Sequence, residues 1–340
     1  MGFLAKAVAI ILGLQSTSVV QEITPPINRN LQTSTCPFSS QATWLIQNIP
    51  IDILPPKPTL PGSTEIYDSE NRTDSYDPAN YPTFERILLP LNTMNVFGQN
   101  ITKSPTNPTC LITYMNVLER YAARQALTGR VNSYSILLHR ITTGDIAQNY
   151  LAVSPSAPLT KARHRVIRNW MTLLNQKVTA RPSPYQNNFR LWDFRALVST
   201  AYADYKPTLP YLSQIQNFLQ TVITPGGLIS SEIRGARTIQ YHIYFLAPLF
   251  DTLYLIFTDT GGRRLQARHI NLVEGVVRNL EKSLTDPSPF FIAAGFQTQM
   301  PTNQQILTAL RARWNCVAVG LGCRETYAGL LAKLAGRRFI

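Results

Sequence analysis

The fold is predicted most directly by residues 110–127, which have the sequence CLITYMNVLERYAARQAL. Apolar side chains recur in this segment at steps of three and four residues, the spacing that places them on one face of an α-helix. The apolar face consists of Leu111, Tyr114, Met115, Leu118, Tyr121 and Ala122. Residues 164–178 and 269–284 repeat this spacing, so we expect an amphipathic helix in each of the three segments.

Further helices are predicted along the chain, at residues 133–149, 189–205, 211–222, 240–258 and 304–314. The apolar run IYFLAPLFDTLYLIF, at 243–257, is too short for a membrane span and includes a proline and an aspartate. We therefore interpret it as a buried core helix. The sequence has no convincing series of alternating strands, no glycine-rich phosphate loop and no long repeat. An all-α fold of roughly eight to ten helices is expected, as a bundle, a solenoid or a toroid.

The first part of the chain differs in composition. Residues 20–108 are rich in Pro, Thr, Asn and Ser, which predicts irregular structure with one short helix near residues 84–91. We expect a single domain over residues 19–340. Its loop-rich part, 19–108, could include a lid, and its helical part covers 109–340.

The beginning of the chain predicts secretion. Residues 1–18, MGFLAKAVAIILGLQSTS, combine a lysine, a short apolar run and small residues, and we interpret them as a signal peptide. Myristoylation at Gly2 is the alternative, which the apolar run behind it disfavours. An extracellular location is therefore expected.

Cysteines and glycosylation acceptors agree with secretion. Four cysteines allow three pairings, and the economical one joins each cysteine to its partner in the same region, Cys36 to Cys110 and Cys316 to Cys323. The sequons NRT at Asn71 and NIT at Asn100 both fall in the loop-rich part. No cysteine spacing suits a zinc site and the chain has only 4 histidines, so we expect no metal.

The net charge favours a polyanionic partner. The chain has 32 Lys and Arg against 19 Asp and Glu, a formal charge of +13 at pH 7. Such a surplus suits a nucleic acid, an acidic polysaccharide or an anionic membrane, and the charge alone does not distinguish them. The alternative is that the charge serves solubility only.

Polar groups interrupt core-like helices in three segments. The first is YQNNFRLW, residues 185–192, where paired asparagines at a helix start could be a helix cap or hold a carboxylate. In the second, residues 226–249, Arg234 and Tyr241 are seven residues apart and would share one helix face. The alternative there is that Tyr241 and His242 only satisfy their own hydrogen bonds and have no catalytic role. The third is the basic ending AKLAGRRFI, residues 332–340.

These segments resemble motifs of the alginate lyase family that cleaves polymannuronate. NNFRLW is similar to the family's Asn-Asn-His-x-Tyr-Trp, and SEIRGARTIQYHIYFLAPL, residues 231–249, is similar to its Asn-Glu-Leu-Lys-Arg and Tyr-His-Asn-Tyr-x-Leu-Pro-Pro-Leu. Further similar pieces occur in the same order, from Cys36 to the C-terminus. The resemblance implies a secreted, single-domain α/α toroid with a central cleft.

The resemblance also implies chemistry and site residues. Such lyases break a 4-linked uronate by β-elimination, with no cofactor and an anionic polysaccharide as partner. Asn188 matches the family's carboxylate-holding Asn, Arg234 its Arg and Tyr241 its proton-transferring Tyr. Substrate-binding residues are expected nearby and at the late Arg position, where this chain has lysine: Trp192, Arg190, Arg237, His242 and Lys333.

One residue departs from the family pattern. Phe189 stands where the family has histidine, and phenylalanine can neither neutralise a carboxylate nor take a proton. The main expectation is a secreted, monomeric uronan lyase. The alternatives are a catalytically impaired uronan-binding relative and a basic nucleic-acid or virion protein. The leader, sequons and cysteines disfavour the last, so neither nucleic acid nor membrane is expected as partner.

Overall fold

The computed structural model describes residues 36–52, 81–103, 107–131, 136–157, 159–183, 185–233, 238–295, 304–321 and 323. Its helices are α1 Ser39–Gln47, α2 Tyr81–Lys103, α3 Pro108–Ala123, α4 Ile136–Val153, α5 Lys161–Ala180, α6 Asn188–Ala203, α7 Leu209–Val222, α8 Thr238–Asp259, α9 Ala267–Lys282, α10 Ser288–Ala294 and α11 Gln304–Val319. A short 3₁₀ helix covers Ser230–Glu232. These residues form no β-strand beyond isolated bridges, so the all-α expectation is confirmed.

Several expected features lie outside the described residues. They are the signal peptide at 1–18, the sequon at Asn71, and the site candidates Arg234, Arg237 and Lys333.

The helices form two layers. In the inner layer α2 packs on α4, α4 on α6, α6 on α8, and α8 on α11. In the outer layer α3 packs on α5 and α7 on α9, and α5 also contacts α6. Each outer helix buries one apolar stripe. The helical spacing of its apolar residues could therefore be recognised in the sequence. In α5 the stripe is Ile167, Trp170, Met171, Leu174 and Val178, as predicted.

The inner helices α4 and α6 are buried on nearly all sides and lack an amphipathic pattern. They run parallel, because their side-chain pairs follow the same order along both helices: Arg140 with Asp193, Asp145 with Arg195, and Gln148 with Ser199. The first turns of α4 and α6 therefore lie at the same end of the inner layer.

Charged residues in the inner layer are paired with one another. The Arg195 guanidinium donates to Asp145 at 2.7 Å, to Asp251 of α8 at 3.1 Å and to Gln148 at 3.0 Å. Its side chain is only 5% exposed. Because a buried charge without a partner is very costly, this cluster fixes the relative positions of α4, α6 and α8.

The predicted short helix near residues 84–91 is wrong in its extent. It is the 23-residue helix α2, which runs through Pro90 to Lys103. A proline inside a helix removes a backbone hydrogen bond, but the row Leu91, Met94, Phe97 and Ile101 is buried along one face and outweighs that loss. The sequon Asn100 consequently lies on a helix, half-buried, and not on a loop.

Both expected disulfides are present. Cys36 is joined to Cys110, 74 residues away, and Cys316 to Cys323. The first connects the segment before α1 with the first turn of α3. Within the described ranges, no helix is long and apolar enough to span a membrane, and the run at 243–257 forms part of the buried helix α8, as interpreted.

Helix α6 ends in a Schellman motif with a tyrosine where glycine is usual. The Lys206 N–H donates to the Ala201 carbonyl at 2.9 Å, and the Tyr205 N–H donates to the Tyr202 carbonyl at 3.2 Å. Tyr205 takes the left-handed backbone conformation this requires, with φ of 58°. A residue with a Cβ atom loses about 1–2 kcal/mol in that conformation. The tyrosine is therefore held there at a cost that glycine would avoid.

Candidate active site

The two asparagines at the start of α6 have different roles. Asn187 is the N-cap, because its side-chain oxygen accepts a hydrogen bond from the Phe189 N–H at 2.9 Å. Of the two roles that the sequence left open for the paired asparagines, Asn187 takes that of the helix cap. Asn188 is the first residue of the helix and is buried, with 3% of its surface exposed.

Asn188 is held by a buried carboxylate. Its backbone N–H donates to Oε1 of Glu232 at 2.5 Å, and its side-chain Nδ2 donates to Oε2 at 3.1 Å. Glu232 is completely buried. Because an ionised carboxylate only accepts hydrogen bonds, this contact fixes which end of the Asn188 amide is the NH₂ group. The second N–H of that group is not used by Glu232.

The role of Glu232 was not predicted, since its partner is 44 residues away. The sequence feature that could have indicated this role is a lone carboxylate in the segment LISSEI, whose other residues are apolar or small. A buried carboxylate next to a helix N-terminus is also favoured by the helix dipole.

His242 is a packing residue. The Ile229 N–H donates to its Nε2 at 2.9 Å, so Nδ1 carries the proton and donates to the Thr238 carbonyl at 2.8 Å. The ring is fully buried and nearly perpendicular to that of Phe290, at a centroid distance of 5.0 Å. Both nitrogens therefore serve backbone groups. This geometry gives no support to the expected substrate contact, and His242 instead fastens the turn before Glu232 to α8.

Burial lowers the pKa of His242 from 6.5 to about 4. Between these values the unfolded chain binds a proton at this position and the folded chain does not, so the free energy of unfolding falls as the pH falls. We expect His242 to contribute about 3 kcal/mol to this loss between pH 7 and pH 4.

Urea unfolding of the wild type and of His242→Gln over this pH range tests the prediction. Since His139, whose pKa burial also lowers, titrates in both proteins, the difference between them isolates His242. The variant should show the shallower pH dependence. Identical pH dependence in the two proteins would contradict the assignment.

Tyr241 lies in the first turn of α8, next to His242. It is partly exposed, and its ring centroid is 6.0 Å from that of Tyr244, whose hydroxyl accepts a hydrogen bond from Gln240 at 2.6 Å. Glu232 ties Asn188 to the 3₁₀ helix, and His242 ties the residue just before that helix to α8. Asn188 and Tyr241 therefore lie at the same end of the inner layer.

The loop before Asn187 is anchored by a buried ion pair. Arg140 donates to Asp193 at 2.8 Å, and the Ser183 N–H donates to the other oxygen of Asp193 at 2.6 Å. Burial raises the pKa of Asp193, and the Arg140 guanidinium opposes the rise. Sequence patterns did not reveal this pair, because both residues occupy helices without amphipathic spacing.

The other predicted residues on α6 differ in accessibility. Phe189 is half-buried, with its ring edge-on to that of Tyr185 at a centroid distance of 5.5 Å. Arg190 is partly exposed, lies 3.5 Å from Asp193 and stacks over Phe194. Trp192 is buried beneath the Arg195 guanidinium, so its expected substrate contact has no support in this geometry. In the described segments no group of three or more His, Cys, Asp or Glu residues could hold a metal ion.

Solved structures share this arrangement of helices. Alginate lyase A1-III from Sphingomonas species A1 superimposes with a TM-score of 0.58 at 12% identity, covering 85% of this chain and 94% of that chain. The chain has the alginate lyase fold. The two layers of helices are therefore those of an α/α toroid, as the sequence resemblance implied.

Two variants of that lyase extend the comparison. A histidine-to-alanine variant complexed with a tetrasaccharide has a TM-score of 0.57 at 12% identity, over 80% of this chain and 86% of that one. A tyrosine-to-phenylalanine variant, also complexed with a tetrasaccharide, has a TM-score of 0.57 at 12% identity, over 82% and 89%. Neither protein-family models nor curated protein sequences gave a match to the chain. At such identities the likeness concerns the fold.

Proposed function

We propose that the protein is a polysaccharide lyase that cleaves a 4-linked uronate polymer by β-elimination. The observation that carries the proposal is the hydrogen bonding of Asn188 to the buried Glu232. This pair lies at the same end of the inner layer as Tyr241, in a chain with the alginate lyase fold. The tetrasaccharide complexes of alginate lyase A1-III support an oligosaccharide as the ligand of this fold.

The reaction needs a proton carrier near the sugar ring. The Tyr241 phenolate removes the proton from C5, a double bond forms between C4 and C5, and the C4–O4 bond breaks. The O4 leaving group then takes the proton from the Tyr241 phenol. One side chain can act as base and acid when the proton and the leaving group are on the same side of the ring.

The reaction also needs donors for the uronate carboxylate, because negative charge spreads onto it as C5 loses its proton. The second Nδ2 hydrogen of Asn188 is one such donor, and Arg234 is the proposed second. The first turns of α4, α6 and α8 meet at this end, and helix N-termini favour an anion.

Phe189 favours a second candidate function, that of a catalytically impaired protein that binds uronans. A phenyl ring offers no proton and no charge to a carboxylate, so this chain has one stabilising group fewer than the family motif implies. We further propose that residues 1–18 direct secretion and that the monomer acts without a cofactor.

The unsaturated uronate that β-elimination produces absorbs ultraviolet light, so its appearance tests the proposal. The purified protein is incubated separately with polymannuronate, polyguluronate and polyglucuronate. A rise in absorbance with at least one polymer is expected. If no product forms with any of the three polymers but binding is measurable, the lyase proposal is wrong and the protein is a catalytically impaired uronan-binding protein.

Replacing Glu232 with glutamine tests how Asn188 is positioned. Glutamine has one accepting oxygen where two are used, so one Asn188 donor loses its partner. We expect the free energy of unfolding to fall by about 1–3 kcal/mol. We also expect kcat to fall by about tenfold to a hundredfold with little change in KM, because the amide is no longer fixed.

Glu119→Gln is the matched control for Glu232→Gln. Glu119 forms a partly exposed ion pair with Arg163, so the same chemical change there should cost less than about 1 kcal/mol and leave kcat unchanged. Equal effects of the two substitutions on stability and on kcat would show that Glu232 does not position Asn188 for the reaction.

A further inference from the structure

Positive charge is concentrated on one outer helix. Between Asp145 and Asp193 the chain has no acidic residue, whereas α5 alone contains five Lys or Arg: Lys161, Arg163, Arg165, Arg168 and Lys177. The helix is amphipathic, so its apolar stripe faces the core and most of this charge lies on the opposite side.

Three of these residues form a row. Lys161, Arg165 and Arg168 are spaced four and three residues apart, which places them on one face of the helix along about 10 Å. Lys161 and Arg165 are exposed and Arg168 is half-buried. Several anionic groups of an extended polymer could contact such a row at once.

The row is not neutralised by its surroundings. Nearby Glu119 is paired with Arg163, and Asp204 is engaged by the Thr172 hydroxyl at 2.6 Å and by Lys206 at 2.9 Å. Across the parts of the chain that the structure describes, no carboxylate forms an ion pair with Lys161, Arg165 or Arg168.

An exposed aromatic ring lies at the end of the row. The Arg168 guanidinium is 4.7 Å from the centre of the Tyr205 ring, and Tyr205 is 61% exposed. This is the tyrosine that occupies the left-handed position of the Schellman motif. Glycine would fit there without strain, so the backbone conformation does not account for the choice of tyrosine. Strained residues of this kind are enriched at functional sites.

We propose that Lys161, Arg165, Arg168 and Tyr205 form a second polymer-binding surface, which holds a carboxylated polysaccharide on the outer layer of the toroid. The identity of this polymer rests on the proposed function. Guanidinium groups bind carboxylates through two parallel hydrogen bonds, and a uronan has one carboxylate on every sugar. The flat ring of Tyr205 offers a surface against which a sugar can pack.

The test compares a long polymer with a short one. In a Tyr241→Phe background, which should slow cleavage by about a thousandfold, Kd is measured for polymannuronate and for its tetrasaccharide. Lys161→Gln, Arg165→Gln and Arg168→Gln together should weaken polymer binding by about tenfold or more and leave tetrasaccharide binding unchanged, because only the polymer can reach both surfaces. Equal loss for both ligands, or no loss, would overturn the proposal.

A charge-matched control separates this surface from the net charge. Arg263→Gln, Arg268→Gln and Lys282→Gln remove the same charge from exposed positions elsewhere and should change Kd for the polymer much less. Tyr205→Gly should weaken polymer binding while Tm stays the same or rises. A lower Tm with unchanged binding would make Tyr205 a structural residue.

Two further results distinguish a polysaccharide from other anionic partners, and distinguish this binding surface from the proposed lyase reaction. Duplex DNA or phosphatidylserine vesicles that displace polymannuronate from the row at physiological salt would overturn the polysaccharide assignment. Polymer binding that depends on the row in a protein without lyase activity would uphold this surface and refute only the proposed reaction.

Discussion

Replacement of Tyr241 with phenylalanine is expected to lower kcat for uronan cleavage by about a thousandfold, the scale of a lost general acid–base group. The substitution removes only the hydroxyl, so the ring keeps its place beside Tyr244. KM should therefore change little. Initial rates of ultraviolet absorbance, measured over a range of polymer concentrations, give both constants.

Tyr244→Phe is the matched control for this result. It makes the same chemical change one turn along α8, at a buried ring whose hydroxyl accepts a hydrogen bond from Gln240. We expect at most a severalfold decrease in kcat there. If Tyr241→Phe retained the wild-type rate, Tyr241 would not be the proton carrier and the proposed reaction would lose its base.

The substitution Phe189→His should raise kcat by about a hundredfold, because it adds a donor for the developing charge on the uronate carboxylate. Phe189 is half-buried in the first turn of α6, immediately after Asn188. An imidazole is smaller than a phenyl ring, so it can enter this position without crowding Tyr185.

Phe189→Leu distinguishes an added donor from a mere loss of the ring. The leucine variant should be no faster than the wild type. The histidine variant should also gain a new pH dependence of kcat near the ordinary pKa of imidazole, about 6.5. A histidine variant as slow as the leucine variant would show that residue 189 does not face the substrate.

The outer helices were predictable because each has one face in the core and one in solvent. The stripe of α5 from Ile167 to Val178 was assigned from spacing alone and is buried as expected. Helix α2 was underestimated, because Pro90 and the polar composition of its region concealed the buried row from Leu91 to Ile101. The inner helices α4, α6 and α8 were located in the sequence, but their buried charges have no pattern that a single sequence reveals.

The candidate site was predictable only in part for a similar reason. Asn187 as a cap follows from local chemistry, since Asn is favoured just before a helix. The contact of Asn188 with Glu232 joins residues 44 apart, and the burial of His242 depends on a turn that folds back onto α8. Such contacts exist only once the helices have packed.

The disulfide between Cys36 and Cys110 has a practical consequence for handling the protein. It closes a covalent ring that includes α1, α2 and every residue between them. A protease that cuts once anywhere inside this ring leaves the fragments attached, so the nicked protein migrates as a single band until a reducing agent is added. Limited proteolysis with and without reduction will therefore reveal cuts between Cys36 and Cys110 without separating the fragments.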